Sequence, residues 1–141
     1  MIENNKKIVI DTNVLISAIL FPNSLIAQSV YKAMAYWEIY ASQSTVNEFL
    51  EVISRSKFDK YFLNRPNGRE IFTENFVKAI TIIEPTEHIT DCKDPKDNQF
   101  LEIALTANAR LLVTGDKKDL LSMNPYRGLE IVTANEFLEN F

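Results

Sequence analysis

Apolar positions recur along the chain in two spacings, one fitting strands and one fitting helices. Residues 6–10 (Lys-Lys-Ile-Val-Ile) form a short β-branched run and predict a buried strand. Residues 14–20 are apolar on almost every side and predict a buried helix, a core element rather than a membrane anchor. It stops at Phe21-Pro22, because the Pro22 ring disfavours helical geometry at Phe21. Ser24 can cap a second helix running to about Ala35, and residues 37–41 predict a second strand. A third helix starts near Ser44 or Thr45. Val46, Phe49, Leu50 and Ile53 give it an i, i+3, i+4, i+7 apolar stripe. Pro66-Asn67-Gly68 signals a turn before a helix over 69–79 and a third strand over 80–83. Residues 86–95 read as polar loop, 96–107 as helix, 111–114 as strand and 116–121 as a short helical turn. A fifth strand over 129–132 and a helix over 134–138 close the chain. Strands alternating with helices imply an α/β class, with a parallel sheet covered on both faces.

Composition narrows the chemistry. The length of 141 residues predicts a single domain spanning 1–141. One cysteine (Cys92), one histidine (His88) and three glycines remove disulfides, cysteine or histidine zinc sites, and the glycine-rich phosphate loops. No run approaches the ~20 apolar residues of a membrane span and the start lacks a signal-peptide pattern, so a cytoplasmic protein without membrane contact is expected. The net charge of −4 argues against nucleic-acid binding by the surface as a whole. His88 and Cys92 stand four apart in a polar loop and are read as inert. Trp37 and Tyr40 are read as packing residues.

Carboxylates remain as the reactive groups. Asp11 and Asp116 each follow a buried strand, at the carboxyl ends outside which open α/β folds bind ligands. Either one alone reads as a helix cap, and two at matching strand ends make a site an equal alternative. Asp97 shares a stripe with Phe100, Leu101 and Ala104, which aims its carboxylate inward, a costly placement without a partner. Glu48 lies opposite the stripe of its helix, and Thr45-Val46-Asn47-Glu48 matches a capping box, so by pattern it is a cap. Oxygen donors without histidine or thiolate suit Mg²⁺ or Mn²⁺, and such ions serve phosphodiester hydrolysis. A phosphatase or a phosphoryl-accepting receiver would use similar parts, but Asp11-Thr12-Asn13 places no second acid behind the first strand.

These blocks resemble the PIN-domain family of metal-dependent nucleases. The resemblance is carried by residues 8–15 (Ile-Val-Ile-Asp-Thr-Asn-Val-Leu), Val46-Asn47-Glu48-Phe49, Asp94-Pro95-Lys96-Asp97 running into Phe100-Leu101-Glu102-Ile103-Ala104, and Leu112-Val113-Thr114-Gly115-Asp116. It covers nearly the whole chain and is strongest to the bacterial and archaeal toxin components of toxin–antitoxin pairs. It implies a three-layer fold with a five-stranded parallel sheet of order 3-2-1-4-5. It further implies Asp11, Glu48, Asp97 and Asp116 as metal ligands and catalytic residues for cleaving single-stranded RNA. Asn13, Thr114 and Asp119 would be supporting groups. Whether one ion or two would bind stays open, because Lys96 and Asn98 thin the acidity around Asp97.

Residues 55–69 hold five cations against one acid. Arg55, Lys57, Lys60, Arg65 and Arg69 interleave with Phe58, Tyr61 and Phe62, a composition suited to single strands. The rings themselves read more readily as core, and the cations as nucleic-acid contacts. Lys117 and Lys118 stand beside Asp116 and would also contact nucleic acid. Expected partners are single-stranded or structured RNA, an antitoxin protein and a second copy of the chain. The alternative to an enzyme is a non-catalytic PIN-like module that grips RNA or a partner.

Overall fold

The computed structural model describes residues 4–141. In chain order it contains β1 (Lys7–Ile10), α1 (Thr12–Leu20), α2 (Leu25–Tyr36), β2 (Glu38–Ala41), α3 (Gln43–Ile53), α4 (Gly68–Ala79), β3 (Ile80–Ile82), α5 (Asn98–Ala107), β4 (Leu111–Val113), β5 (Glu130–Val132) and α6 (Ala134–Asn140). Three 3₁₀ segments, Ser56–Phe62, Pro95–Asp97 and Leu120–Met123, join them. The five strands are all parallel, in the order β3-β2-β1-β4-β5. This is the expected topology, and it puts the reversal of strand order between β1 and β4.

The pleat sorts side chains between two layers of helix. Ile8 and Ile10 of β1 join Leu111, Val113 and Val132 in a core shared with α1, α2, α3, α4 and α6. Val9, Leu112 and Ile131 point the other way, into a core built on α5. Burying Phe49, Phe76, Phe137, Ile8 and Leu111 almost completely contributes about 1.5–3 kcal/mol per side chain. Trp37 packs edge-on against Phe137, and Tyr40 lies partly buried against the α5 core, both as packing residues.

Four expectations need correction. α1 starts at Thr12 rather than Val14, because the Asp11 carboxylate accepts the Asn13 N–H and caps the helix there. α3 starts at Gln43: the capping box is Ser42 with Thr45, not Thr45 with Glu48. The chain leaves β2 straight into the helix, so Glu48 lies a turn inside it and is free of capping. Leu50, expected on the buried stripe, is exposed. β3 is not doubly covered: α5 packs mainly on β1, β2 and β4, and Thr81 and Ile82 on this edge strand are exposed. Among the described residues, no single helix is long and apolar enough to cross a membrane.

Candidate metal centre

The carboxyl ends of β1 and β4 deliver Asp11 and Asp116 side by side. Asp11 is buried, at 4% exposure, and both its oxygens are engaged. Oδ1 accepts the Asn13 N–H at 3.1 Å, and Oδ2 accepts the Thr114 hydroxyl at 2.7 Å. Burial pushes its pKa above the usual carboxylate range; the bonds from Thr114 and Asn13 pull the other way, and Asp116 and Glu48 add repulsion. Thr114 is fully enclosed and faces both ways. Its oxygen also accepts the Asp116 N–H at 3.1 Å, so one hydroxyl ties the two strand ends together.

Asp97, Asp116 and Asp119 form the tightest acidic group. One oxygen from each lies within 4.8 Å of the others. Asp97 immediately precedes α5, whose amino end favours negative charge. Its Oδ2 is buried and receives no hydrogen bond. Burial, then Asp119 and Asp116, pushes the Asp97 carboxyl up to about 8. Asp119 goes the other way: burial would raise its pKa, but bonds from Asp97, Asp94 and Lys93 outweigh it and hold the carboxyl low. Asp119 Oδ1 and Oδ2 accept the backbone N–H groups of Lys93 and Asp94 at 3.0 and 3.1 Å. It thus clamps the loop that carries Asp97.

The expected helical turn over 116–121 is replaced by a shorter arrangement. Asp116 Oδ1 accepts the Asp119 N–H at 3.2 Å, and 3₁₀ geometry begins only at Leu120. That turn carries Asp119 back to Asp116 despite the intervening Lys117 and Lys118, which are exposed. Glu48 reaches the rim of the centre, close enough to raise the pKa of Asp11 by repulsion. Gln99 of α5 donates to its Oε2 at 3.1 Å. Asn13 is exposed at the mouth of a cleft of about 370 Å³ that is also lined by Asp11, Ser17, Ile26 and Asp116.

Two features escaped the sequence reading. Gln99 gave no signal, since one amide on a helix is ordinary. The loop clamp by Asp119 gave none either, because its partners Lys93 and Asp94 lie 26 and 25 residues away.

The basic stretch lies at the other end of α1, a nine-residue helix about 13 Å long. Its cations divide by job. One Arg65 nitrogen donates to the Ile19 and Leu20 carbonyls at 2.6 and 3.0 Å, and its guanidinium covers Phe62. Arg69 also lies over Phe62 and pairs with Asp59 at 3.0 Å, and Arg55 pairs with Glu51 at 2.8 Å. Lys57 and Lys60 remain exposed, over the rings of Phe58 and Tyr61. Phe62 is core, while Phe58 and Tyr61 are partly buried against it. Cys92 is buried beside Met123, with its thiol pushed up to about 12 mainly by burial; His88 is exposed near Glu102.

A family model described as PIN domain matches residues 7–118. The chain belongs to the PIN-domain family. Members of this family are generally metal-dependent nucleases, and the acidic trio is the kind of oxygen-donor set a divalent cation takes. An uncharacterized protein of Methanocaldococcus jannaschii is 34% identical over 146 residues, covering 96% of this chain and 91% of that protein. No solved structure matches the chain.

Proposed function

We propose that this PIN domain is a Mg²⁺- or Mn²⁺-dependent endoribonuclease acting on single-stranded RNA in the cytoplasm. The observation that carries the reading is the buried Oδ2 of Asp97, which no N–H or hydroxyl reaches and which faces the carboxylates of Asp116 and Asp119. Three carboxylates so close repel one another, and only a proton or a cation offsets that cost. A carboxyl that keeps its proton to about pH 8 is the metal-free solution, and a divalent cation replaces that proton near neutrality.

The residues fit such an ion: Asp97, Asp116 and Asp119 would hold it, with Asp11 and Glu48 reaching it directly or through water. When bound, a divalent ion polarises a phosphodiester oxygen and lowers the pKa of water. The chain supplies the orientation. Thr114 fixes Asp11 relative to Asp116, Gln99 steadies Glu48, and Asp119 holds the Lys93–Asp94 backbone that leads to Asp97. Lys57 and Lys60, with Lys117 and Lys118 nearer the centre, offset the repulsion between these acids and a polyanion.

The test is cleavage of single-stranded RNA by purified protein with Mn²⁺, with and without chelator. Full metal-dependent activity in Asp11→Asn would sink the mechanism. Lys96 and Asn98, which dilute the acidity next to Asp97, support a second reading as a non-catalytic binding module. Titration calorimetry with Mn²⁺ separates the two, since a module would bind RNA and take up no metal. The toxin role rests on the family: it predicts a small neighbouring gene for an antitoxin that supplies cations to the acidic site. Unimpaired growth on expression of this protein alone would count against it.

A further inference from the structure

The surface that joins the metal centre to the aromatic end of α1 has its own chemistry. Asn13 and Ser17 stand at i and i+4 on one side of α1, and Phe21, the residue that ends the helix, donates its N–H to the Ser17 carbonyl at 3.0 Å. The cleft beside Asp11 and Asp116 runs along this side past Asn13 and Ser17 to Ile26. Beyond it, about 12 Å from Asn13, stands Phe21. The residue is 50% exposed, whereas Phe49, Phe76 and Phe137 are almost completely buried. It meets Tyr61 edge to face, with centroids 5.5 Å apart, and Lys60 Nζ lies 5.5 Å from the Tyr61 centroid. The platform is rigid. Arg65 grips the carbonyls of Ile19 and Leu20 just before Phe21, and the Phe21 N–H itself donates to Ser17. Pro22 fixes the chain on the other side.

An exposed ring held against a second ring, with a cation beside it, matches the parts that bind unpaired bases: a π-face for stacking and a charge for the neighbouring phosphate. We propose that Phe21, backed by Tyr61 and Lys60, is a stacking site for an unpaired base of the RNA, reached along the Asn13–Ser17 side of α1. This rests on the ribonuclease reading and adds where the strand lies. The site is positioned before RNA arrives, so little binding energy is lost to ordering it. A base stacked there draws the strand along α1, with its backbone passing the carboxylates at the other end. The exposed amide of Asn13 and the hydroxyl of Ser17 line that path as polar contacts for sugar and phosphate.

The test uses the whole chain and a fluorescently labelled ten-nucleotide oligoribonucleotide, in chelator so that cleavage is stopped. Phe21→Ala should weaken binding roughly tenfold, and Phe21→Trp should restore it. The tryptophan introduced at position 21 should lose fluorescence on binding this RNA, and keep it with an oligomer made abasic throughout. Thermal denaturation of each variant checks that the half-exposed position leaves the fold intact. Binding by Phe21→Ala equal to the unsubstituted protein overturns the proposal, as does failure of Phe21→Trp to rescue. If Mn²⁺-dependent cleavage persists in either case, the ribonuclease reading survives and only the stacking site falls. Absence of any RNA binding or cleavage by the unsubstituted protein removes both. A change in oligomeric state with Phe21→Ala, at unchanged RNA affinity, would assign this surface to a second copy of the chain instead.

Discussion

The Thr114 hydroxyl donates to Asp11 Oδ2 across 2.7 Å, between residues 103 positions apart in the sequence. The same oxygen accepts the Asp116 N–H, so the neighbouring strands β1 and β4 are locked together at the point where their acids emerge. Thr114→Val keeps the shape and removes the hydroxyl, leaving a buried carboxylate oxygen and a partly buried N–H unpartnered. The expected cost is about 1–3 kcal/mol in urea denaturation, together with roughly 10- to 100-fold lower metal-dependent activity. Thr114→Ser should recover most of both.

The metal-free protein should lose stability as pH rises from about 4 to about 8. Asp97 has its folded-state pKa raised from 3.8 to about 8, and Asp11 is raised as well. Between those limits the folded chain binds more protons than the unfolded one, so stability is fullest at the acid end and falls as pH climbs. Asp119 is shifted downward, so its contribution is lost only on acidification below that window. Thermal denaturation at pH 5 and pH 8 in chelator reads the slope. Saturating Mn²⁺ should flatten it, and at 100 times Kd should add about 2.7 kcal/mol at pH 8. A melting temperature that rises from pH 5 to pH 8 without metal would contradict the charge assignment.

Asp97→Asn removes the carboxylate that cannot ionise cheaply. Metal-free stability at pH 8 should therefore rise, while Mn²⁺ affinity measured by calorimetry should fall at least tenfold. A substitution that stabilises the fold and disables the site is the signature of acids gathered for a ligand rather than for packing.

Asp119→Ala should behave differently. It deletes the acceptor for the Lys93 and Asp94 N–H groups, so it should destabilise the protein by about 2 kcal/mol as well as weaken Mn²⁺ binding. Asp119→Asn retains one acceptor and should separate the two effects, losing metal affinity with less cost to the fold.

The cations of residues 55–69 should divide in a binding assay as they divide in the structure. Arg65→Met leaves the Ile19 and Leu20 carbonyls without their donor and should cost about 2 kcal/mol of stability. The double change Lys57→Ala and Lys60→Ala should leave stability nearly unchanged. It should reduce the salt dependence of RNA binding by about 1.4 in log–log slope, as for two phosphate contacts on a single strand. An unchanged slope would remove these two lysines from the RNA surface.

Much of this protein follows from local pattern. The apolar runs at residues 8–10 and 111–113 have to be buried, and the helices between them force parallel pairing. Asp11 and Asp116 therefore each fall at the carboxyl end of a strand for reasons the sequence contains by itself, and the pairing of β1 with β4 makes those ends neighbours. Glu48 and Asp119 were less accessible. The capping pattern at Glu48 competed with a better one at Ser42–Thr45, and only the tight exit from β2 decides between them. Asp119 gains its place from contacts across 25 and 26 residues, to Asp94 and Lys93, which no local spacing encodes.

The basic stretch marks the same boundary. Sequence counts its charges alike, because composition carries no partner information. The fold divides them: Arg65 faces carbonyls at the end of α1, Arg55 and Arg69 face acids, and Lys57 and Lys60 face water. The strands, the helices between them and the acids at the strand ends were thus determined by the sequence, because periodicity and burial are local, while the strand order 3-2-1-4-5 was implied by the family resemblance and is set by contacts between distant strands. Which charges are spent inside the molecule and which stay free to meet a ligand was decided only when distant elements came into contact.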